Sequence, residues 1–327
     1  MNIIKAIRNG LSIVFENIKM IPVVYIANIS LALLLALPVF SLLNKEIGYQ
    51  GIRDEITQSF NYEWWSEFNL HAEGLEKTIS PSLSGGFAAL FDNFELLFTG
   101  KFTTFGLIIF MFGLAYIFLN AFFNGGILGL YADEKRTFSV SRFFSLSGFY
   151  FHHFFALALT AISIFFVFYK LIHPAIFHII DHISANWMSE KAMWFANLAG
   201  YLIIALFILF IKIIFEYAKI IIVVENKESS WLCIWLSFKF VVRHIIKTFG
   251  LYLVLIFAGL GFLFIFGFIL ELLQPKTVLL LLLIILFQQF FIMLKIGLRF
   301  TFYGSQLELY RQYKPEMIPV KKRRKVK

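Results

Sequence analysis

The chain has 327 residues, 60% of them hydrophobic and only 15% charged, with a formal net charge of +9 and a mean hydropathy of +0.80. A soluble globule averages nearer half apolar and a quarter charged, so this composition excludes a water-dissolved domain and makes lipid the expected solvent. The lone cysteine, Cys233, excludes an internal disulfide and a thiolate zinc cluster.

Residues 1–21 open the chain as an amphipathic segment. Ile3, Ile4, Ile7, Leu11, Val14, Phe15 and Ile18 make one face, and Lys5, Arg8, Asn9, Ser12 and Glu16 the other. Six apolar windows follow, at about 22–43, 103–123, 150–170, 193–215, 250–271 and 277–299. Each approaches the roughly 20 residues that cross a bilayer's hydrocarbon core as a helix. None alternates, and each is about twice the roughly 10 residues of a barrel strand. The expectation is one polytopic all-α membrane domain, 1–327, of about six transmembrane helices. The first window follows Lys5, Arg8 and Lys19 but is too long for a secretory signal core and lacks a clean cleavage site, so it reads as an uncleaved anchor.

Between the first two windows, 44–102 carries nine acids against four bases and the aromatics Phe60, Tyr62, Trp64, Trp65 and Phe68. It reads as an extracytoplasmic insertion leaning on the membrane. Phe87, Leu90, Phe91, Phe94, Leu97 and Phe98 recur at helical spacing, predicting an interfacial helix near 87–99. Placing the N-terminus inside puts 22 of the 29 Lys and Arg in the cytoplasm and 7 outside, which sets both termini on the cytoplasmic side.

A unit recurs along the chain: an amphipathic cytoplasmic stretch, a span, and a returning span. In the third copy Trp231, Ile234, Trp235, Phe238, Val241, Val242 and Ile245 oppose Lys239, Arg243 and Lys247. The middle copy, Phe138 to Tyr150, has Arg142 as its one charge, and the polar turn 132–138 (ADEKRTF) parallels 225–231 (ENKESSW). The predicted architecture is therefore three hairpins, each preceded by a cytoplasmic interfacial amphipathic helix, through either triplication or convergence. The stretches NGGILGLYADEKRTFSVSRFF (124–144) and FEYAKIIIVVENKESSWLCIWLSFKFVVRH (215–244) resemble corresponding parts of bacterial multi-pass families similar to the membrane domain found beside some glycerophosphoryl diester phosphodiesterases. That resemblance implies a bacterial inner membrane and a six-helix module. With no soluble phosphodiesterase domain attached, it implies no activity.

Ionisable groups inside a membrane are costly and are candidates for function. Lys212 and Glu216 lie one helical turn apart and are spaced to pair; Lys295 and Arg299 are similarly spaced. Snorkelling and positive-inside anchoring account for them one way. The other joins Lys212, Glu216, Lys295 and Arg299 with Asn120, Asn124, His152 and His153 in a cytoplasm-facing polar pocket for a lipid phosphate or anionic solute. Asn28, Gln288 and Gln289 read as interhelical hydrogen-bonding amides. His178 and His182, with Asp181 between and His173 upstream, lack a third ligand at firm spacing and read as interfacial histidines beside Trp187, so no metal and no cofactor are expected. Gly125 and Gly129, with Gly259, Gly261 and Gly267, read as helix-packing positions.

The segment 303–327 forms a basic cytoplasmic tail ending KKRRKVK, suited to anionic lipid headgroups, with no specific nucleic-acid partner expected. No Walker loop, nucleophile elbow, Rossmann fingerprint or zinc-protease helix occurs, so an enzyme is not expected. The leading expectation is a module that binds phospholipid or a protein partner. The alternative is a transporter or permease for an amphipathic or anionic solute.

Overall fold

A computed structural model describes residues 3–49, 62–71, 107–133, 138–187, 189–273 and 277–314. The interfacial helix expected near 87–99 and the basic run 321–327 lie outside them. Among the described residues every regular element is a helix: α1 (Ile3–Glu16), α2 (Met20–Tyr49), α3 (Tyr62–His71), α4 (Leu107–Ala132), α5 (Val140–Val167), α6 (His173–Ser184), α7 (Glu190–Glu225), α8 (Ser230–Arg243), α9 (Ile245–Leu272) and α10 (Val278–Tyr313). Six helical stretches are long and apolar enough to cross a bilayer: Met20–Pro38, Phe110–Ala132, Val140–Ser184, Glu190–Glu225, Ile245–Leu270 and Val278–Tyr313. The chain is an all-α, multi-pass membrane protein with six spans among the described residues.

Two compact units divide it, Pro22–Leu119 and the remainder (Met1–Ile21 with Asn120–Lys327). Within Pro22–Leu119, α2 carries Pro38 in its interior, which removes one backbone donor from the helix ladder. In the same unit α3 orders the predicted aromatic cluster by helical spacing: Trp64 stacks on Phe68 at 5.3 Å, with Trp65 beside both.

The larger unit is organised around the last third of α7. From Ile211 to Val223 nearly every apolar side chain of this helix is buried, the mark of a helix surrounded by others. Along α7 stand α5, α8 and α10, with α6 against its early turns at Gly200 and Tyr201, while α9 and α1 pack on α10. Local chemistry sets the boundaries. Ser189 caps the start of α7, Ser229 that of α8 and Thr277 that of α10, each side-chain oxygen accepting a first-turn N–H. Helix α7 ends at Asn226, whose φ of 50° is the left-handed cap conformation, with its N–H donating to the Ile222 carbonyl. Buried Asn17 closes α1 by donating from Nδ2 to the Ile13 carbonyl at 3.0 Å. Between α5 and α6, Phe168–Ile172 winds as a π-turn directly ahead of Pro174. Widening the helix there accommodates the proline ring against the preceding turn.

The three amphipathic stretches take two forms. Helices α1 and α8 are separated from the spans that follow them by breaks at 17–19 and at His244, whereas 140–150 forms the opening turns of α5. Close helix crossings use glycine. A Cβ on Gly125 would lie 3.1 Å from the Ser147 carbonyl oxygen and one on Gly129 3.0 Å from Leu146 Cβ, so the predicted small-residue face of α4 seats α5, with Gly126 tighter still at 2.3 Å from Ser147 Oγ. Gly259 sits against Leu298, while Gly261 has open space around it.

At about 1.5 Å per residue, the 36 residues of α7 and of α10 each extend about 54 Å, well past a hydrocarbon core of about 30 Å. Their buried residues gather at one end: Ile211–Val223 on α7 and Ile296–Tyr310 on α10, joined by Ala121–Tyr131 of α4. This packed end, where α1 and α8 also lie, is called the basal end below.

Candidate functional site

At the upper edge of the basal core, α10 presents Arg299 and, one turn later, Tyr303; α4 presents Asn120 and Asn124, also one turn apart. The helical spacing brings each pair onto one face, and the two faces meet. The Arg299 guanidinium donates from Nη2 to Asn124 Oδ1 at 2.9 Å and to Asn120 Oδ1. Its Nε donates to the Tyr303 hydroxyl at 3.2 Å, and that hydroxyl donates to Asn124 Oδ1 at 3.0 Å. Asn124 Nδ2 closes the set by donating to Asn120 Oδ1 at 2.8 Å. Asn124 is buried, whereas Asn120 and Arg299 remain half-buried, so the guanidinium is held in a fixed orientation at the boundary of the core.

On α7 the Glu216 carboxylate accepts from Lys219 Nζ at 3.1 Å. Lys219 lies within electrostatic reach of Tyr303 and Arg299, which places this pair beside the α4–α10 network. Arg299, Lys219 and Glu216 together carry a net positive charge. The second Glu216 oxygen, the Tyr217 hydroxyl and both amide atoms of Gln306 are buried without hydrogen-bond partners in the protein. The Gln306 amide faces the Tyr252 hydroxyl, outside bonding geometry.

Of the eight residues expected to share a pocket, the structure brings Asn120, Asn124 and Arg299 into direct contact and sets Glu216 nearby. It places the other four apart. Lys212 and Lys295 are exposed, and Glu216 pairs three residues onward with Lys219 rather than back with Lys212. His152 is exposed; its neighbour His153 meets the Ser230 hydroxyl at 3.2 Å at the start of α8. Asn28 is half-buried on α2, and Gln288 and Gln289 on α10. His173, His178 and His182 all belong to α6, and His173 packs between Tyr169 and Phe177. Among the described residues no group of three His, Cys, Asp or Glu side chains is arranged to hold a metal ion.

Sequence reasoning missed Lys219 and Tyr303. Both carried a signal: Lys219 lies at i+3 from Glu216 and Tyr303 at i+4 from Arg299, the spacings at which helical side chains meet. It also missed the polar links deeper in the basal end. Tyr310 donates to Glu225, which pairs with Lys227 at 3.4 Å. Arg311 donates to the Ala132 carbonyl at 3.0 Å and to Tyr131 at 3.4 Å, capping the end of α4, and pairs with Glu308 at 3.2 Å. Arg142 pairs with Asp133 across the α4–α5 turn.

Comparison of the chain with protein-family models, with curated proteins and with solved structures finds no match.

Proposed function

We propose that this multi-pass membrane protein is a non-enzymatic module that binds the anionic headgroup of a phospholipid beside Arg299. The observation that carries this reading is the orientation of the Arg299 guanidinium, fixed by Asn120, Asn124 and Tyr303 at the boundary between the basal core and the apolar halves of the helices. A planar fork held in place suits a phosphate, because little orientational freedom is lost on binding. Lys219 adds a second positive charge on the neighbouring helix. The excess of Lys and Arg in the segments at this end supports a cytoplasmic placement for it.

The test is native mass spectrometry of the protein extracted in mild detergent. The wild type is expected to retain phospholipid, and Arg299→Ala to lose it, while Lys295→Ala at an exposed position on the same helix retains it. Equal retention by wild type and Arg299→Ala, or none in either, refutes the reading.

The unpartnered Glu216, Tyr217 and Gln306 atoms favour a second reading, a permease for an amphipathic or anionic solute, since they extend polar chemistry into the helix bundle. In that case Glu216→Gln abolishes flux in proteoliposomes at unchanged fold; unchanged flux removes it.

A further inference from the structure

Helices α1 and α8 turn the wrong faces inward for a water-soluble protein. On α8 the side toward the core is Cys233, Ser237, Phe240 and Val241, all buried, with Ser237 Oγ donating to the Ile214 carbonyl of α7. The large residues point away. Trp231 is 72% exposed and Trp235 53%, and with Phe238 and Val242 they make one stripe at i, i+4, i+7 and i+11. At about 100° per residue this stripe stands roughly 150° around the helix from the core-facing side. Lys239 and Arg243 share one shoulder of it, and Lys239 Nζ lies 4.8 Å over the Trp235 ring. The same division recurs on α1. Ala6, Gly10, Ile13 and Val14 face α10, while Ile4, Leu11, Phe15 and Ile18 face outward beside exposed Lys5, Arg8 and Lys19.

The core-facing sides combine small residues with Ile13, Val14, Phe240 and Val241, while Trp231, Trp235 and Val242 stay exposed and Phe238, at the stripe's edge, also meets the Phe210 ring. We infer that the outward face of α8 is a docking surface for an anionic membrane leaflet, with the Trp231–Trp235–Phe238–Val242 stripe at the headgroup–acyl boundary and Lys239 and Arg243 among the phosphates. Two features of the structure point to this occupant. Helix α8 runs, after a break at His244, directly into the span Ile245–Leu270, so its end is tied to the membrane surface. The cations flank the apolar stripe on one side, and Lys247 continues them, the arrangement of an in-plane helix that takes its apolar stripe into the acyl boundary and its charge into anionic headgroups. The stripe lies apart from the Arg299 network, and the inference does not depend on the headgroup proposed there.

The full chain carrying Phe238→Cys, spin-labelled at that position, tests this. Cys233 is buried and its thiol is pushed up to about 11 by burial, which leaves the introduced cysteine as the reactive one. In vesicles of phosphatidylcholine with one third phosphatidylglycerol, dissolved oxygen is expected to broaden the label several-fold more than a water-soluble nickel chelate does. In phosphatidylcholine alone, or with Lys239→Gln and Arg243→Gln added, the docking equilibrium weakens by about fivefold per charge removed, and that ratio is expected to fall. Three results overturn the proposal: preferential access of the nickel chelate in anionic vesicles, equal oxygen access in both vesicle types, or protection from both reagents, which denotes cover by protein. Binding at the stripe and at Arg299 separate cleanly, because Arg299→Ala leaves the label's access ratio unchanged if the α8 surface acts alone.

Discussion

Replacing Gly10 with alanine probes the contact on which α1 is seated. A Cβ at Gly10 would lie 2.4 Å from Ser305 Oγ, 2.5 Å from the Ser305 backbone nitrogen and 2.9 Å from its Cα. Carbon atoms pack at about 3.5–4.0 Å, so α1 must retreat from α10 by about 1 Å, because two of the three obstructing atoms are backbone that cannot swing aside. Overpacking of this kind costs about 1–3 kcal/mol, and this site belongs at the upper end. Alanine returns about 1 kcal/mol in helix propensity, leaving a net loss of about 2 kcal/mol. Gly148→Ala on α5 is the matched control, since nothing lies within 4 Å of its added methyl group and only the propensity gain applies. Thermal denaturation in detergent, followed by size-exclusion chromatography, is expected to rank Gly148→Ala at or above wild type and Gly10→Ala below it. Trypsin is expected to reach Lys5, Arg8 and Lys19 faster in the Gly10 variant. The crossing is reciprocal, because a Cβ on Gly304 would meet the Gly10 carbonyl at 2.9 Å. The double substitution with Gly304→Ala therefore costs less than the sum of the two, the helices being already apart. A Gly10→Ala protein as stable as Gly148→Ala would refute the packing argument.

Arg311→Ala removes the cap on the Tyr131 and Ala132 carbonyls at the end of α4. A loss of about 1 kcal/mol is expected, read as faster amide exchange over 128–132; unchanged exchange there would show that the cap contributes nothing. Cys233 is expected to resist alkylation at pH 7.5 until the protein is unfolded, with its rate climbing about tenfold per pH unit toward its raised value of about 11. The sign for stability follows from the same shift. Burial raises the thiol from 9.0 to about 11, so its contribution is constant below pH 9 and declines as pH rises from 9 to 11, where the unfolded chain releases its proton first. A Cys233→Ala protein should lack that component of the decline, and identical alkaline unfolding curves would refute the assignment.

The six spans were legible because hydrocarbon leaves so little choice: a run of about 20 apolar residues without alternation has to be a helix. Helix ends were not. The sequence windows close at 123, 215 and 299, where mean hydropathy drops, yet α4, α7 and α10 run on to Ala132, Glu225 and Tyr313. Those extensions mix buried Tyr131, Tyr217, Ile221, Leu307 and Tyr310 with charged residues on other faces, and an average over the window cannot see a face. The amphipathic division of α1 and α8 was legible in outline, but Val14 and Val241 group by spacing with the exposed apolar residues although both are buried. Hydrophobic size marks the exposed stripe, while the protein-facing side also draws on the small residues Ala6, Gly10, Cys233 and Ser237, which stand off that stripe. Within the site, Asn120, Asn124 and Arg299 stood out as polar residues in apolar runs. Lys212 and Lys295 did too, and only their exposed positions in the structure separate them from the cluster.

The location of the core follows from where a hydrophobic driving force exists. Between helices in lipid, burial of apolar side chains gains little, since the alternative solvent is equally apolar. The apolar halves of α9 and α10 accordingly remain exposed, with Leu282, Leu286, Phe264 and Phe268 each more than half uncovered. Specific packing is instead concentrated at the basal end, where glycine crossings and capped helix ends fix the arrangement. Arg299 and Glu216 stand at the junction of the two regimes, just before Phe300 on α10 and within the buried run 211–223 on α7. At that level a charge keeps access to water and headgroups on one side while neighbouring helices hold its geometry on the other. A rigid polar cluster at the junction is therefore cheaper to maintain than one at mid-span.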